Sequence, residues 1–331
     1  MAQSVIFTDM GGPEVLRLVD VPPLASPVAG EVLVEMRSIG VNRSDAAFRT
    51  GKYLIKPNMP CSLGIEGAGI VRAVGEGVSS VAAGQRVSIL PAFPQGGKYA
   101  TYATHALFPA SSLIAAPDFL NDVEASATWV SYLTPWGAMV ELGGLGKRDF
   151  VLISAASSSV GLAAIQIANS VGAIPIATTR TRAKADALLA AGAAQVIASE
   201  EQDVAAAVRK ITGDKGLQMA FDAIAGPFAE ALVPCMAEEG IIFFYGGLSD
   251  QPTQFDRRLI IGRVISFTGY TVGQMLKYPD RLARGRDFVI ANLGNGTFTP
   301  AVDRVFPLDE VVEAHRYMET NAQMGKIVLT V

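Results

Sequence analysis

The chain is poor in the residues that staple small secreted domains and build metal cages. Its 331 residues include two cysteines and two histidines. Cys61 and Cys235 lie far apart in sequence, so no disulfide framework is available, and each reads as a small buried apolar residue. Charged residues make up only 18% of the chain, with a net charge of −4 and no run of Lys or Arg, which argues against a nucleic-acid surface. No apolar stretch reaches about 18 residues without a charge or a breaker, so no membrane span is expected. The opening Met-Ala-Gln-Ser-Val-Ile-Phe lacks a basic region followed by an apolar one, so no signal peptide is expected. Repeats and low-complexity segments are absent. A cytoplasmic, soluble protein is the expectation.

Half of the residues are hydrophobic, and the length suits two compact domains. The first ~110 residues read as short strands divided by Gly and Pro turns. Candidate strands fall at 31–39, 67–75, 84–90 and 99–105, the pattern of a small barrel. Beyond 120 the pattern changes to helical residues at 122–143, then to a regular alternation of strand and helix. Strands are expected at 150–155, 174–178, 195–198, 217–222, 240–245 and 264–270. Helices are expected at 159–171, 182–191, 201–212 and 226–237. Right-handed βαβ units in series make a six-strand parallel, doubly wound sheet, an α/β Rossmann domain. The closing Gly325-Lys-Ile-Val-Leu-Thr-Val331 is expected to pair back into the first domain. The expected division is 1–122 with 271–331, and 123–270.

The first strand–turn–helix of that series carries a degraded dinucleotide fingerprint. Aligned on Gly161, the three glycine positions of G-x-G-x-x-G hold Ala156, Ser158 and Gly161. Small residues let the backbone approach a pyrophosphate, and the helix N-terminus favours an anion. Ala156, Ser157, Ser158, Ser159, Val160 and Gly161 therefore form the candidate phosphate turn. The second strand ends without the Asp or Glu that an NAD site places on the ribose 2′-OH. In its place stand Thr179, Arg180 and Lys184, with Arg182 less well placed, and these suit the 2′-phosphate of NADPH. The carboxyl ends of later strands add Ala223 and Ile224, and Tyr245, Gly246 and Gly247.

Several further motifs resemble the medium-chain dehydrogenase/reductase superfamily, in which a GroES-like β-barrel catalytic domain joins a Rossmann domain. They are Gly40-Val-Asn-Arg-Ser-Asp45, Leu63-Gly-Ile-Glu-Gly-Ala-Gly69 with Val74-Gly75, Gly84-Gln-Arg-Val87 and Gly325-Lys326-Ile-Val. Zinc alcohol dehydrogenases of that superfamily carry Cys where Asn42 stands and His where Ile65 stands, and the four cysteines of their structural zinc are missing here. The resemblance thus implies no metal, with His105 and His315 as surface or core residues rather than ligands. Gly40 to Tyr53 and Trp129-Val-Ser-Tyr-Leu-Thr-Pro-Trp-Gly137 resemble the zinc-independent quinone oxidoreductases of the zeta-crystallin type. Two departures are Ala47, where these enzymes often have Tyr, and Gln85, where Asp is usual.

That likeness implies an NADPH-dependent reductase of a quinone or an α,β-unsaturated carbonyl, an enone or enal. It places Asn42 against the nicotinamide amide or the substrate carbonyl, Tyr53 as proton donor, Thr134 against the nicotinamide and Lys326 in the cofactor set. Asp45 reads as structural, bonded to backbone, Arg43 or Arg49, and Glu66 as a partner of Arg43 or Arg72. Loops near 47–60, 91–98 and 245–280 are expected to set the pocket. The alternatives are an enoyl-thioester reductase, an NADPH-binding protein with little turnover, and a zinc-type alcohol dehydrogenase. A homodimer joined near 264–270 is also implied, since an apolar edge strand is otherwise a liability.

Overall fold

A computed structural model describes residues 2–91, 96–213 and 215–331. Part of the 91–98 loop, residues 92–95, therefore lies outside the described residues. The chain divides into two compact units, Met1–Val130 with Pro300–Val331, and Ser131–Thr299.

The first unit is built on the strand Glu31–Val41, whose alternating apolar residues face a core that includes Val34, Met36 and Ile39. Gly67–Val74 lies antiparallel to it, with Met36 opposite Gly69 and Ile39 opposite Gly67. A side chain at position 69 would stand 2.3 Å from the Glu35 carbonyl oxygen, so only glycine lets the strands close here. The terminal strand Lys326–Thr330 pairs antiparallel with Glu31–Val41, as expected, and brings Val328 opposite Gly40. The stretch 99–105 departs from expectation. Its backbone bonds to Leu63, Gly64 and Val5, burying Thr101 and Tyr102, and the strand is instead His105–Pro109. Gln85 does work an Asp could do, accepting the Ala82 N–H at 3.0 Å in the turn.

The second unit carries a six-stranded parallel sheet. Its order is Gln195–Ala198, Ile174–Thr179, Phe150–Ile153, Leu217–Asp222, Met236–Phe244 and Ser266–Gly269. In chain order this is 3-2-1-4-5-6, so the direction of winding reverses between the first and fourth strands. The helix Val204–Thr212 starts later than expected because Asp203 caps it, accepting the Ala206 N–H at 2.9 Å. The next helix stops at Leu232, where Pro234 falls in a short 3₁₀ turn, and the fifth strand begins early at Met236. Helix Asp122–Pro135 passes at Pro135 into a π-helical stretch, Trp136–Leu142.

Both expected domain boundaries move. Residues 123–130 fold with the first unit, where Ser88 Oγ donates to the Ala125 carbonyl at 3.2 Å and the Val130 N–H donates to Glu66 at 3.1 Å. Residues 271–299 fold with the second. The reason is helix Pro279–Gly294, whose Gly285 packs on Trp136 and Leu133 and whose Phe288 ring lies 6.2 Å from that of Trp136. No helix among the described residues is long and apolar enough to cross a membrane.

Candidate active site

In the second unit, the carboxyl ends of the first, second, fourth and fifth strands gather the residues of the degraded fingerprint. After Ile153 the chain turns through Ala155, which has φ of +46°. The Ala156 N–H donates to the Thr178 carbonyl at 3.2 Å, tying this turn to the second strand. Helix Ser159–Ser170 follows, and Ser158 caps it by accepting the Gly161 N–H at 3.0 Å. The N–H groups of Ser159 and Val160 have no partner within the helix, by its geometry. Gly161 is required by proximity. A Cβ there would stand 2.6 Å from the backbone of Ala156. Gly161→Ala should therefore shift the turn and destabilise the protein by about 1–3 kcal/mol, read as a lowered midpoint of thermal unfolding.

The basic residues separate by their partners. Arg182 is engaged, its guanidinium 3.5 Å from Glu201 and its N–H bonded to the same carboxylate at 3.1 Å. Lys184 reaches back to the phosphate turn and donates to Ser157 Oγ at 3.1 Å. Arg180 is exposed beside the half-buried Thr179.

Across the winding reversal, Asp222 is fully buried and organises the far wall. It accepts from Ser154 Oγ at 2.6 Å, from the Ile224 N–H at 2.9 Å and from the Ala225 N–H at 2.8 Å. The Tyr245 N–H donates to the Asp222 carbonyl at 2.9 Å, and the Leu248 N–H to that of Ala223 at 3.0 Å. Gly246 fits because a Cβ would meet Ala223 O at 2.8 Å, while Gly247 is open to solvent. Tyr245 stacks on Phe221 with ring centroids 3.9 Å apart. Its hydroxyl is buried beside Ser158 but makes no hydrogen bond of good geometry among the described residues. Burial holds that phenol protonated, raising its pKa. An orphaned hydroxyl next to a serine-capped helix start is a fit for an anionic or sugar oxygen. Thr134, in the same unit, is buried in helix Asp122–Pro135.

The first unit holds a different arrangement. Asn42, Glu66 and Lys326 are buried together, the last two only 1% exposed. Lys326 Nζ donates to Asn42 Oδ1 at 2.7 Å and forms an ion pair with Glu66. Asn42 Nδ2 donates to Glu66 Oε1 at 3.0 Å and to the Gly40 carbonyl at 3.1 Å. The expected partners of Glu66 are thus replaced. Arg72 pairs with Glu35, and Arg43 donates to the Met318 carbonyl and Asn321. Lys326 belongs to this network, and its ammonium has both side-chain partners in the first unit.

Asp45 stands behind Asn42 and accepts its N–H at 2.9 Å, the backbone role expected of it. Its side chain also accepts from Tyr102, whose hydroxyl lies 3.3 Å away. Tyr102 also meets His315 Nε2 at 3.0 Å, and His315 Nδ1 lies 3.5 Å from Arg49 Nη1. Arg49 can only donate, which makes Nδ1 the acceptor, Nε2–H the donor to Tyr102, and the Tyr102 O–H the donor to Asp45. All four residues are fully buried. Burial pushes Asp45 up to about 7, against the opposing pull of Asn42 N–H and Lys326. Burial, with Arg49 and Arg43 nearby, pushes His315 down to about 3. His315 is thus a core residue, while His105 lies at the surface. Tyr53 packs against this unit's core, and burial together with the Asp45 charge raises its phenol. Its neighbours Leu54 and Ile55 are exposed. Among the described residues no group of three or more His, Cys, Asp or Glu side chains is placed to hold a metal.

Residues 28–118 match the alcohol dehydrogenase GroES-like domain, and residues 159–290 match the zinc-binding dehydrogenase family. The structure superimposes on Escherichia coli quinone oxidoreductase complexed with NADPH at a TM-score of 0.92 and 28% identity, covering 99% of this chain and 100% of that one. A probable oxidoreductase from Mycobacterium abscessus is 31% identical with a TM-score of 0.86, over 100% and 99% of the two chains. A 2-haloacrylate reductase from a Burkholderia species is 29% identical over 337 residues, 99% of each chain. The fold and site define a two-domain dehydrogenase/reductase. The chain belongs to the medium-chain dehydrogenase/reductase superfamily, in its quinone oxidoreductase branch.

Proposed function

We propose that this protein is a zinc-independent, NADPH-dependent reductase of quinones or of activated alkenes such as enones and enals. The observation that carries the cofactor reading is the end of the second strand, where Thr179, Arg180 and Lys184 stand and the chain from 174 to 184 supplies no Asp or Glu. Arg180 and Lys184 pair with the 2′-phosphate, the turn from Ala156 to Gly161 takes the pyrophosphate, and Ala223, Ile224, Tyr245, Gly246 and Gly247 form the far wall. The likeness to a quinone oxidoreductase complexed with NADPH supports this. Bound NADPH supplies a hydride for an electron-poor carbon. The chain's residues position the reactants, exclude water and supply a proton.

Zinc independence is supported by what stands at the lost ligand positions. Asn42 and Ile65 replace the usual Cys and His, and the Lys326 ammonium is hydrogen-bonded to Asn42 and ion-paired with Glu66. A resident cation of the protein's own thus neutralises the carboxylate. Tyr53 is the proposed proton donor, a phenol protonated at neutral pH and half-buried against the core of the first unit. Thr134 lines the nicotinamide side. Among the described residues the edge strand Ser266–Gly269 has a sheet neighbour on one side only, and a second copy of the chain is its proposed cover.

The test is NADPH oxidation against quinones, enals, enones and enoyl thioesters, with Tyr53→Phe alongside. Quinones or activated alkenes should be reduced without added metal. Tyr53→Phe should slow alkene reduction about ten-fold or more and quinone reduction far less, because the hydroquinone monoanion left by hydride transfer takes its one proton from water. NADPH binding without turnover on any acceptor would make the protein a binder. Stoichiometric zinc in active protein would overturn the metal-free reading.

A further inference from the structure

We propose that Lys326 is a positioning residue that locks the Asn42 amide with both N–H groups turned into the protein, so that Asn42 offers a ligand acceptor capacity only. The carbonyl side accepts from the ammonium at 2.7 Å, and the amide side donates to Glu66 and Gly40 at 3.0 and 3.1 Å. Flipping the amide would set its NH₂ against Lys326, two donors facing, and its oxygen against a carboxylate and a carbonyl, acceptors facing. The net is closed further by the Val130 N–H, which holds the second Glu66 oxygen at 3.1 Å. With Lys326 and Glu66 each 1% exposed, water is not at hand to substitute for a lost partner.

The chemical consequence separates the two roles open to Asn42. An amide whose N–H groups are both engaged cannot donate to the oxygen of a quinone or enone as charge builds there. It can only receive an N–H or O–H. On a nicotinamide ring the group with an N–H is the carboxamide. Asn42 therefore recognises the cofactor's amide and leaves the acceptor oxygen to other donors. This rests on the NADPH reading above.

The test uses dissociation constants measured by calorimetry on the full-length protein, with NADPH and with its analogue in which an acetyl group replaces the carboxamide. That change keeps the carbonyl and removes the N–H. Wild type should prefer NADPH over the analogue, and Asn42→Ala should shrink that preference about five-fold, one neutral hydrogen bond. Lys326→Met should shrink it similarly, but cause no further change when added to Asn42→Ala. Because Lys326→Met leaves a buried carboxylate unpaired, Lys326→Met with Glu66→Gln removes both charges and serves where the single variant does not fold. A merely structural lysine predicts wild-type preference in that folded double variant, which would overturn the proposal. So would an unchanged preference in Asn42→Ala. Failure of wild type to bind NADPH at all would instead remove the cofactor reading, and this inference with it.

Discussion

Replacing Arg180 and Lys184 together by Ala should weaken NADPH binding about 100-fold while leaving NADH within about two-fold. Each cation makes a charge-assisted contact worth about 1.5–3 kcal/mol, and the loss of two such contacts reaches that range even after solvent screening of the exposed Arg180. The selectivity follows from chemistry, since NADH lacks the 2′-phosphate that these side chains are proposed to meet. Arg182 provides the internal control. Its guanidinium is held near Glu201, and its N–H is bonded to the same carboxylate. Arg182→Ala should change NADPH affinity by less than about three-fold. Titration of both cofactors by calorimetry distinguishes these cases. Equal weakening of NADPH and NADH would remove the two residues from phosphate recognition. Lys184 has a second consequence, because its ammonium also donates to Ser157 Oγ in the phosphate turn. That bond and its partial burial hold the ammonium in place, whereas Arg180 is exposed, so Lys184→Ala alone should cost NADPH binding more than Arg180→Ala alone.

The contrast between Arg180 and Lys326 shows what a sequence can and cannot disclose. Arg180 and Lys184 could be placed because a strand–turn–helix repeat fixes where the second strand must end, and that end is local to the motif. The six sheet strands were legible for the same reason, each being a short apolar run between helical patterns. Lys326 was visible only as part of a motif. Its partner Glu66 lies 260 residues away, and nothing in local periodicity pairs them. The same limit hid the network of Arg49, His315, Tyr102 and Asp45, whose members come from three separate stretches of chain. Charge suggested Arg43 or Arg72 for Glu66, but pairing was decided by the antiparallel register that sets Val328 opposite Gly40 and so brings Lys326 to Asn42. Residues 271–299 cannot be given to a unit from sequence alone, because an amphipathic helix such as Pro279–Gly294 says that one face is buried, not against what. Gly285 on Trp136 decides that, and it is a packing fact.

The opposed titrations of Asp45 and His315 give the largest expected effect on stability. Asp45 has a folded pKa of about 7 against an ordinary 3.8. Between these values the folded protein binds more protons than the unfolded chain, so this group's contribution falls as pH rises through the window, by about 4 kcal/mol. His315 has a folded pKa of about 3 against an ordinary 6.5. There the unfolded chain binds more protons, so its contribution grows as pH rises from 3 to 6.5, by about 5 kcal/mol. Across the shared range, roughly pH 4 to 6.5, the two slopes nearly cancel. Removing one group should therefore expose the other. Asp45→Asn keeps an oxygen for the Asn42 N–H, and relative to wild type it should gain about 3 kcal/mol as pH rises over that range. His315→Gln keeps a donor for Tyr102 and an acceptor for Arg49, and it should gain a similar amount as pH falls. Urea unfolding at several pH values checks both. Opposite slopes in the two variants are the expected signature, because each mutation deletes one titration and leaves its mirror image. Parallel profiles would mean that neither group changes its protonation on folding, and the buried network would then be a set of contacts without electrostatic leverage on the fold.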